Sequence, residues 1–106
     1  MVYQVREYIE GRRSPFGEWF ARLDHAAAAR VDRCIRRLEA GNFGAAKALR
    51  GGVNELRLNF GPGYRVYYGI DGQTLVILLG GGDKRRQTAD IAAALQRWEQ
   101  YEKAKV

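Results

Sequence analysis

The chain of 106 residues has one cysteine, one histidine, one methionine and two prolines. A single cysteine, Cys34, excludes an internal disulfide framework and any cysteine-based metal cluster. The lone histidine, His25, falls at an expected helix start, far along the chain from the basic segments, and is not taken as a catalytic base. Long apolar runs are also missing: the longest, Leu75 to Leu79, is far short of a membrane span. The opening stretch, "MVYQVREYIEG", has charges where a secretory signal peptide needs its apolar segment, so a cytoplasmic protein with no membrane partner is expected. Acidic residues are in the minority, 12 against 18 lysines and arginines, for a net charge of +6. That excess is the footprint of a polyanion partner, nucleic acid being the commonest, although basic surfaces also serve acidic proteins.

What is present fits one globular domain over residues 1–106: 46% hydrophobic and 28% charged residues separate the chain from disordered sequences. Val2 to Ile9 reads as a strand. Ser14-Pro15 is a helix start, with Phe16, Trp19, Phe20 and Leu23 at helical spacing. Asp24 caps a second helix that presents Ala28, Val31, Ile35 and Leu38 on one face and stops at Gly41; Arg30, Arg33, Arg36 and Arg37 form its wet face. A basic connector, "GNFGAAKALRGG" at 41–52, leads into three strands at 55–60, 64–70 and 73–80, and Thr88 caps a last helix with Ile91, Leu95, Trp98 and Tyr101 or Glu102 inward. The order βααβββα with an antiparallel meander defines an α+β class.

Strand register then groups the charges. A three-residue loop at Gly61-Pro62-Gly63 sets Phe60 opposite Tyr64, Leu58 opposite Val66 and Leu56 opposite Tyr68. One side of that hairpin is apolar; the other holds Glu55, Arg57, Asn59, Arg65 and Tyr67. A two-residue Asp71-Gly72 turn would place Leu75 and Ile77 on the core face and Val76 and Leu78 beside the arginines. Gly80–Gly82 would come alongside the Gly61–Gly63 turn, leaving a floor without side chains next to "DKRR", residues 83–86. Lys47 and Arg50 of the connector enter from nearby. The competing reading is plainer: Lys84, Arg85 and Arg86 as a solvated loop, and Arg57 and Arg65 in surface ion pairs with Glu55 or Glu7. "GGGDK" lacks the spacing of a nucleotide-binding phosphate loop. Glu55, Asp83 and Asp90 have no metal-ligand spacing, so no metal or other cofactor is expected, and any phosphoryl chemistry would be metal-free.

The segments "NELRLNFGPGYRVYY" and "LVILLGGGDKRRQTADIAAAL", with "SPFGEWFARLD" near the start, resemble the RelE/ParE superfamily of bacterial type II toxins. The resemblance is nearest to the "addiction module killer protein" branch of its RelE/HigB-like group. It implies a microbial-ribonuclease-type fold: an antiparallel sheet with an N-terminal helical hairpin and a C-terminal helix. It also implies a ribosome-dependent endoribonuclease that cuts mRNA in the ribosomal A site through the RNA's own 2′-hydroxyl. Its partner would be a helix-turn-helix antitoxin in a hetero-oligomeric complex. By the same resemblance Arg65 matches the phosphate-contacting arginine, Arg57 a basic position on the preceding strand, and Lys84 or Arg85 a basic residue after the last strand. Those four are the catalytic candidates, with Lys47, Arg50, Tyr67 and Arg86 as substrate-binding candidates. The segment "RRQTAD" has neither the tyrosine nor the histidine that several such toxins carry as acid or base. Lys84 and then Tyr67 are the candidates for that role. A ParE-like, non-enzymatic gyrase binder and a catalytically inactive antitoxin-binding domain remain the alternatives.

Overall fold

Ser14 and Pro15 start the first helix in the way their chemistry predicts. In the computed structural model, which describes residues 2–105, the Ser14 hydroxyl accepts the backbone N–H of Gly17 at 2.9 Å, and Pro15 sits where its missing N–H costs nothing. This helix, α1 (Pro15–Ala21), is followed by α2 (His25–Glu39), capped by Asp24, whose carboxylate accepts from Ala27 N–H at 2.8 Å. Gly41, with φ of +90°, ends it in a left-handed turn that favours glycine. The chain also forms five strands, all in one sheet: β1 (Gln4–Glu7), β2 (Ala46–Ala48), β3 (Val53–Arg57), β4 (Arg65–Asp71) and β5 (Leu75–Gly82). The last helix, α3, spans Gln87–Ala104. No described helix is long and apolar enough to cross a membrane.

The α+β class holds, with three differences of detail. A short strand, β2, lies within the connector, where three exposed residues, Ala46, Lys47 and Ala48, pair antiparallel with β3. The first strand is shorter than Val2–Ile9 and pairs parallel to β5, so the sheet is mixed, in the order β1-β5-β4-β3-β2. Thr88 lies inside the first turn of α3 and does not cap it. Instead the chain enters through a single 3₁₀ turn at Lys84–Arg86, headed by Asp83, whose carboxylate accepts Arg85 N–H at 2.9 Å.

Helices cover both faces of the sheet. Leu56, Leu58, Val66, Tyr68, Val76 and Leu78 face α1 and α2 and join Phe16, Trp19, Val31, Ile35 and Leu38 in one core. Val53, Tyr67, Ile77 and Leu79 face α3 and pack with Ala94 and Trp98 in a second. The face carrying Arg57 and Arg65 is therefore half covered by a helix.

Both hairpin registers differ from the sequence expectation, with different consequences. Between β3 and β4 the loop is longer: Leu58 N–H bonds Tyr64 carbonyl, and Arg57 pairs with Arg65 where Tyr67 was expected. That shift is by two residues, so each side chain keeps its face. Between β4 and β5 Asp71 pairs with Leu75, which moves the register by three and inverts the faces: Val76 and Leu78 join the α1/α2 core, and Ile77 the α3 core. A strand buried on both sides has no apolar–polar alternation to decide between the two. Asp71 itself is drawn onto the α3 face, where its carboxylate accepts from Tyr101 at 2.6 Å and Lys105 at 2.8 Å. Beyond Leu79 a bulge restores pairing of Tyr67 with Gly80, Val66 with Gly81 and Arg65 with Gly82.

Docking of α3 depends on Gly69, which lies beneath Trp98. A methyl group there would fall 2.4 Å from the indole ring. Gly69→Ala is expected to cost about 2 kcal/mol through overpacking. That corresponds to a fall of roughly 10 °C in melting temperature, read by thermal denaturation.

Candidate functional site

Arg57 ends β3 and Arg65 begins β4, and the register sets them directly across from each other. Like charges in that position repel unless an anion lies between them. The anion is Glu55, two residues before Arg57 on the same face and fully buried. Its Oε1 accepts from Arg57 Nε at 3.0 Å. Its Oε2 accepts from the Gln87 side chain at 2.9 Å and lies 3.8 Å from Arg65 Nε. Gln87 is the first residue of α3, so the helix that covers this face also ties down the carboxylate. Arg65 is held from its other end, where Nη1 donates to Gly63 carbonyl at 2.6 Å.

The two arginines differ in access. The Arg57 side chain is 42% exposed and that of Arg65 only 10%. Arg65 Nε is buried with no hydrogen bond among the described residues. That N–H faces Glu55 and is closed to solvent, so any donation to an incoming anion falls to the terminal N–H groups of the guanidinium. Glu55 neutralises one of the two positive charges, leaving the trio at +1; Arg57 does pair with Glu55 as the plainer reading has it, but the carboxylate is buried and not at the surface. That pair is the base of the site.

The basic turn after β5 reaches the same end of the sheet. Lys84 N–H points to the Pro62 carbonyl at 3.4 Å, and the Lys84 stem flanks Gly63, the residue that also holds Arg65. Lys84 is exposed, as is Arg85, whose guanidinium lies 3.5 Å from the Asp83 carboxylate. Arg86 turns to the other side and lines a groove with Asp90, Arg97 and Trp19. Burial raises the Asp90 carboxyl above the usual range, against the lowering pull of Arg86. Lys47 stands across from Glu55 on the exposed edge strand, in the same row as Tyr67. Arg50 lies in the β2–β3 turn, at the end of that hairpin remote from Arg57. Arg57, Arg65 and Lys84 are thus gathered, Arg85 and Lys47 lie at the margin, and Arg50 and Arg86 stand apart.

Tyr67 is on the expected face but fully buried beneath it, across from Glu55. Burial first, and then the charge of Glu55, push its hydroxyl well above the ordinary phenol value. As a general base near neutral pH it is poorly suited, and as a substrate contact it is out of reach. The sequence put Glu55 on the arginine face as a candidate ion-pair partner; what it missed is that this one buried carboxylate meets both arginines, and that Gln87 fixes it. A glutamate at i−2 of a strand arginine shares its face, so Glu55 had a signal; Gln87, 32 residues distant, had none.

Residues 18–99 match the family described as "Phage derived protein Gp49-like (DUF891)". A protein of Haemophilus influenzae described only as uncharacterized is 45% identical over 80 residues, which span 74% of this chain and 81% of that protein. Among solved structures, a double arginine-to-alanine mutant of the Escherichia coli toxin RelE in its free state superposes with a TM-score of 0.68. It shares 19% identity and covers 92% of this chain and 98% of its own, a likeness of fold.

Proposed function

The chain belongs to the phage-derived Gp49-like family and has the fold of RelE, and on that footing we propose that it is the toxin of a type II toxin–antitoxin pair. Within that class it acts as a ribosome-dependent mRNA endoribonuclease of the RelE/HigB-like "addiction module killer" type, working in the cytoplasm without a metal cofactor. The observation that carries this reading is the Arg57–Arg65 pair, opposed across two strands around one buried carboxylate.

The chemistry asks little of the protein beyond that pair. The attacking group is the RNA 2′-hydroxyl, tethered next to the phosphorus it attacks, so proximity supplies much of the rate. As the 2′-oxygen bonds to phosphorus, negative charge gathers on the non-bridging oxygens, and it passes to the leaving O5′ as the P–O5′ bond breaks. Arg65 and Arg57 donate to those oxygens from fixed positions, and fixed donors cost no reorganisation in the transition state. Lys84, exposed and with its stem beside Gly63, is our candidate for the proton transfers, from the hydroxyl and to the leaving oxygen. The ribosomal A site presents the strand. A helix-turn-helix antitoxin that covers this face in a hetero-oligomer silences it.

The seclusion of Tyr67 favours a second reading, a ParE-like binder of DNA gyrase without catalysis, because it removes one of two candidate acid–base groups. Mapping mRNA 5′ ends in a translating extract separates the two. Codon-phased cuts that need ribosomes are the expected result. Intact mRNA with accumulating cleaved DNA would replace the nuclease reading with the gyrase one.

A further inference from the structure

Two grooves flank the arginine pair, and their charges differ. The groove beside Gly81 and Gly82, past the stretch of β5 that β1 pairs, carries Arg13, Arg22, Arg86 and Arg97 but also Glu10, Glu18, Asp83 and Asp90, with Arg13 and Glu18 bonded at 2.6 and 2.9 Å. It is electrically balanced. The other, of about 510 Å³, lies between α2 and the end of β3. Arg30, Arg33, Arg37 and Arg57 line it, and among the described residues no carboxylate does.

The three α2 arginines fall at i, i+3 and i+7, on one side of the helix, and none forms an ion pair among the described residues. Arg36, one step round the helix, behaves differently: it lies 3.5 Å from Asp32 and 2.7 Å from Glu39. Opposite the arginines the groove wall is aromatic and polar: Phe43, Phe60, Asn42 and Asn59. The Arg30 guanidinium lies 4.6 Å from the centre of the Phe60 ring. Uncompensated guanidiniums beside aromatic faces make the surface that a single nucleic-acid strand uses, phosphates on the cations and bases on the rings.

We propose that this groove is a second RNA subsite, holding the single-stranded flank of the same strand whose phosphate lies on Arg57 and Arg65. Arg57 belongs to both surfaces, which makes them continuous. An acidic peptide shares the charge but has no bases for the rings. The subsite deepens the nuclease reading and rests on it for the identity of its ligand.

The test is fluorescence anisotropy with a labelled oligo-uridine strand, titrated at rising potassium chloride. Arg30, Arg33 and Arg37 replaced together by glutamine should weaken binding at low salt by about 10–100-fold. The slope of log affinity against log salt should shrink by about 2, since each single-strand phosphate contact contributes roughly 0.7. The corresponding lysine triple should restore the slope. Because the three side chains lie at the surface, both variants should melt close to the parent, and the salt slope reports contacts that a mere folding defect would not select. An unchanged slope in the glutamine triple overturns the subsite. So does tighter binding of duplex RNA, or of polyglutamate of matched charge, than of oligo-uridine. The nuclease reading fails separately: a reduced slope in the glutamine triple with no cuts in the translating extract retains the subsite and discards the cleavage.

Discussion

Arg65→Ala is expected to abolish growth arrest and to lower mRNA cleavage by at least about a hundredfold, the scale of loss when one fixed donor to a transition-state oxyanion is removed. Arg65 is the more constrained of the pair, with 10% of its side chain exposed, one end on Gly63 and the other facing Glu55. Arg57, half in solvent, can be replaced in part by water and neighbouring cations, so Arg57→Ala should lose less. Arg65→Lys should rescue little, because an ammonium cannot hold the Gly63 carbonyl while donating sideways to a phosphate from a planar fork. Antitoxin binding should stay within about tenfold, a cost below ~1.4 kcal/mol, since a contact surface of ordinary size does not rest on one nearly buried residue. The measurements are growth after induction, mRNA 5′ ends and a pull-down with antitoxin. A fully toxic Arg65→Ala protein would remove Arg65 from the site.

How much of this was legible in the sequence depends on which signal each feature leaves. The common face of Arg57 and Arg65 was readable because parity survives an even slip: the true register lies two residues from the expected one, and both arginines stay together. The β4–β5 pairing was not readable, because "LVILL" is apolar at every position and either face assignment buries it equally well. The strand β2 was hidden for the opposite reason. Ala-Lys-Ala has no strand propensity and no buried side chain, so only its neighbour β3 makes it a strand. The α2 arginines were read as a uniform wet face, yet the sequence did separate them. Arg36 has Asp32 four residues before and Glu39 three after, whereas Arg30, Arg33 and Arg37 have no acid at helical spacing. That Tyr67 would be sealed beneath the site follows from α3 packing over its face, a tertiary contact with no local mark.

Glu55 is expected to carry more of the fold than any other polar residue. Glu55→Ala leaves Arg57 and Arg65 opposed across the strands with nothing between them and removes the acceptor of Gln87. Breaking a buried charge group by deleting one member costs about 3–5 kcal/mol. For a chain of this length that would lower the melting temperature by roughly 15–30 °C. Glu55→Gln keeps an acceptor oxygen and the volume but not the charge, so it should remain folded at a smaller loss, about 1–3 kcal/mol. Its effect on function should run in two directions. Without the internal carboxylate the pair has its full +2 charge, so RNA should bind more tightly. The guanidiniums, less firmly placed, should stabilise the transition state less well, so the maximal rate should fall. A lower kcat together with a lower KM is the signature of a residue that positions the arginines and competes with the phosphate for them. A Glu55→Ala protein that melts within a few degrees of the parent would mean that solvent or another anion can take the place of this carboxylate, and the arginine pair would then be an ordinary surface feature.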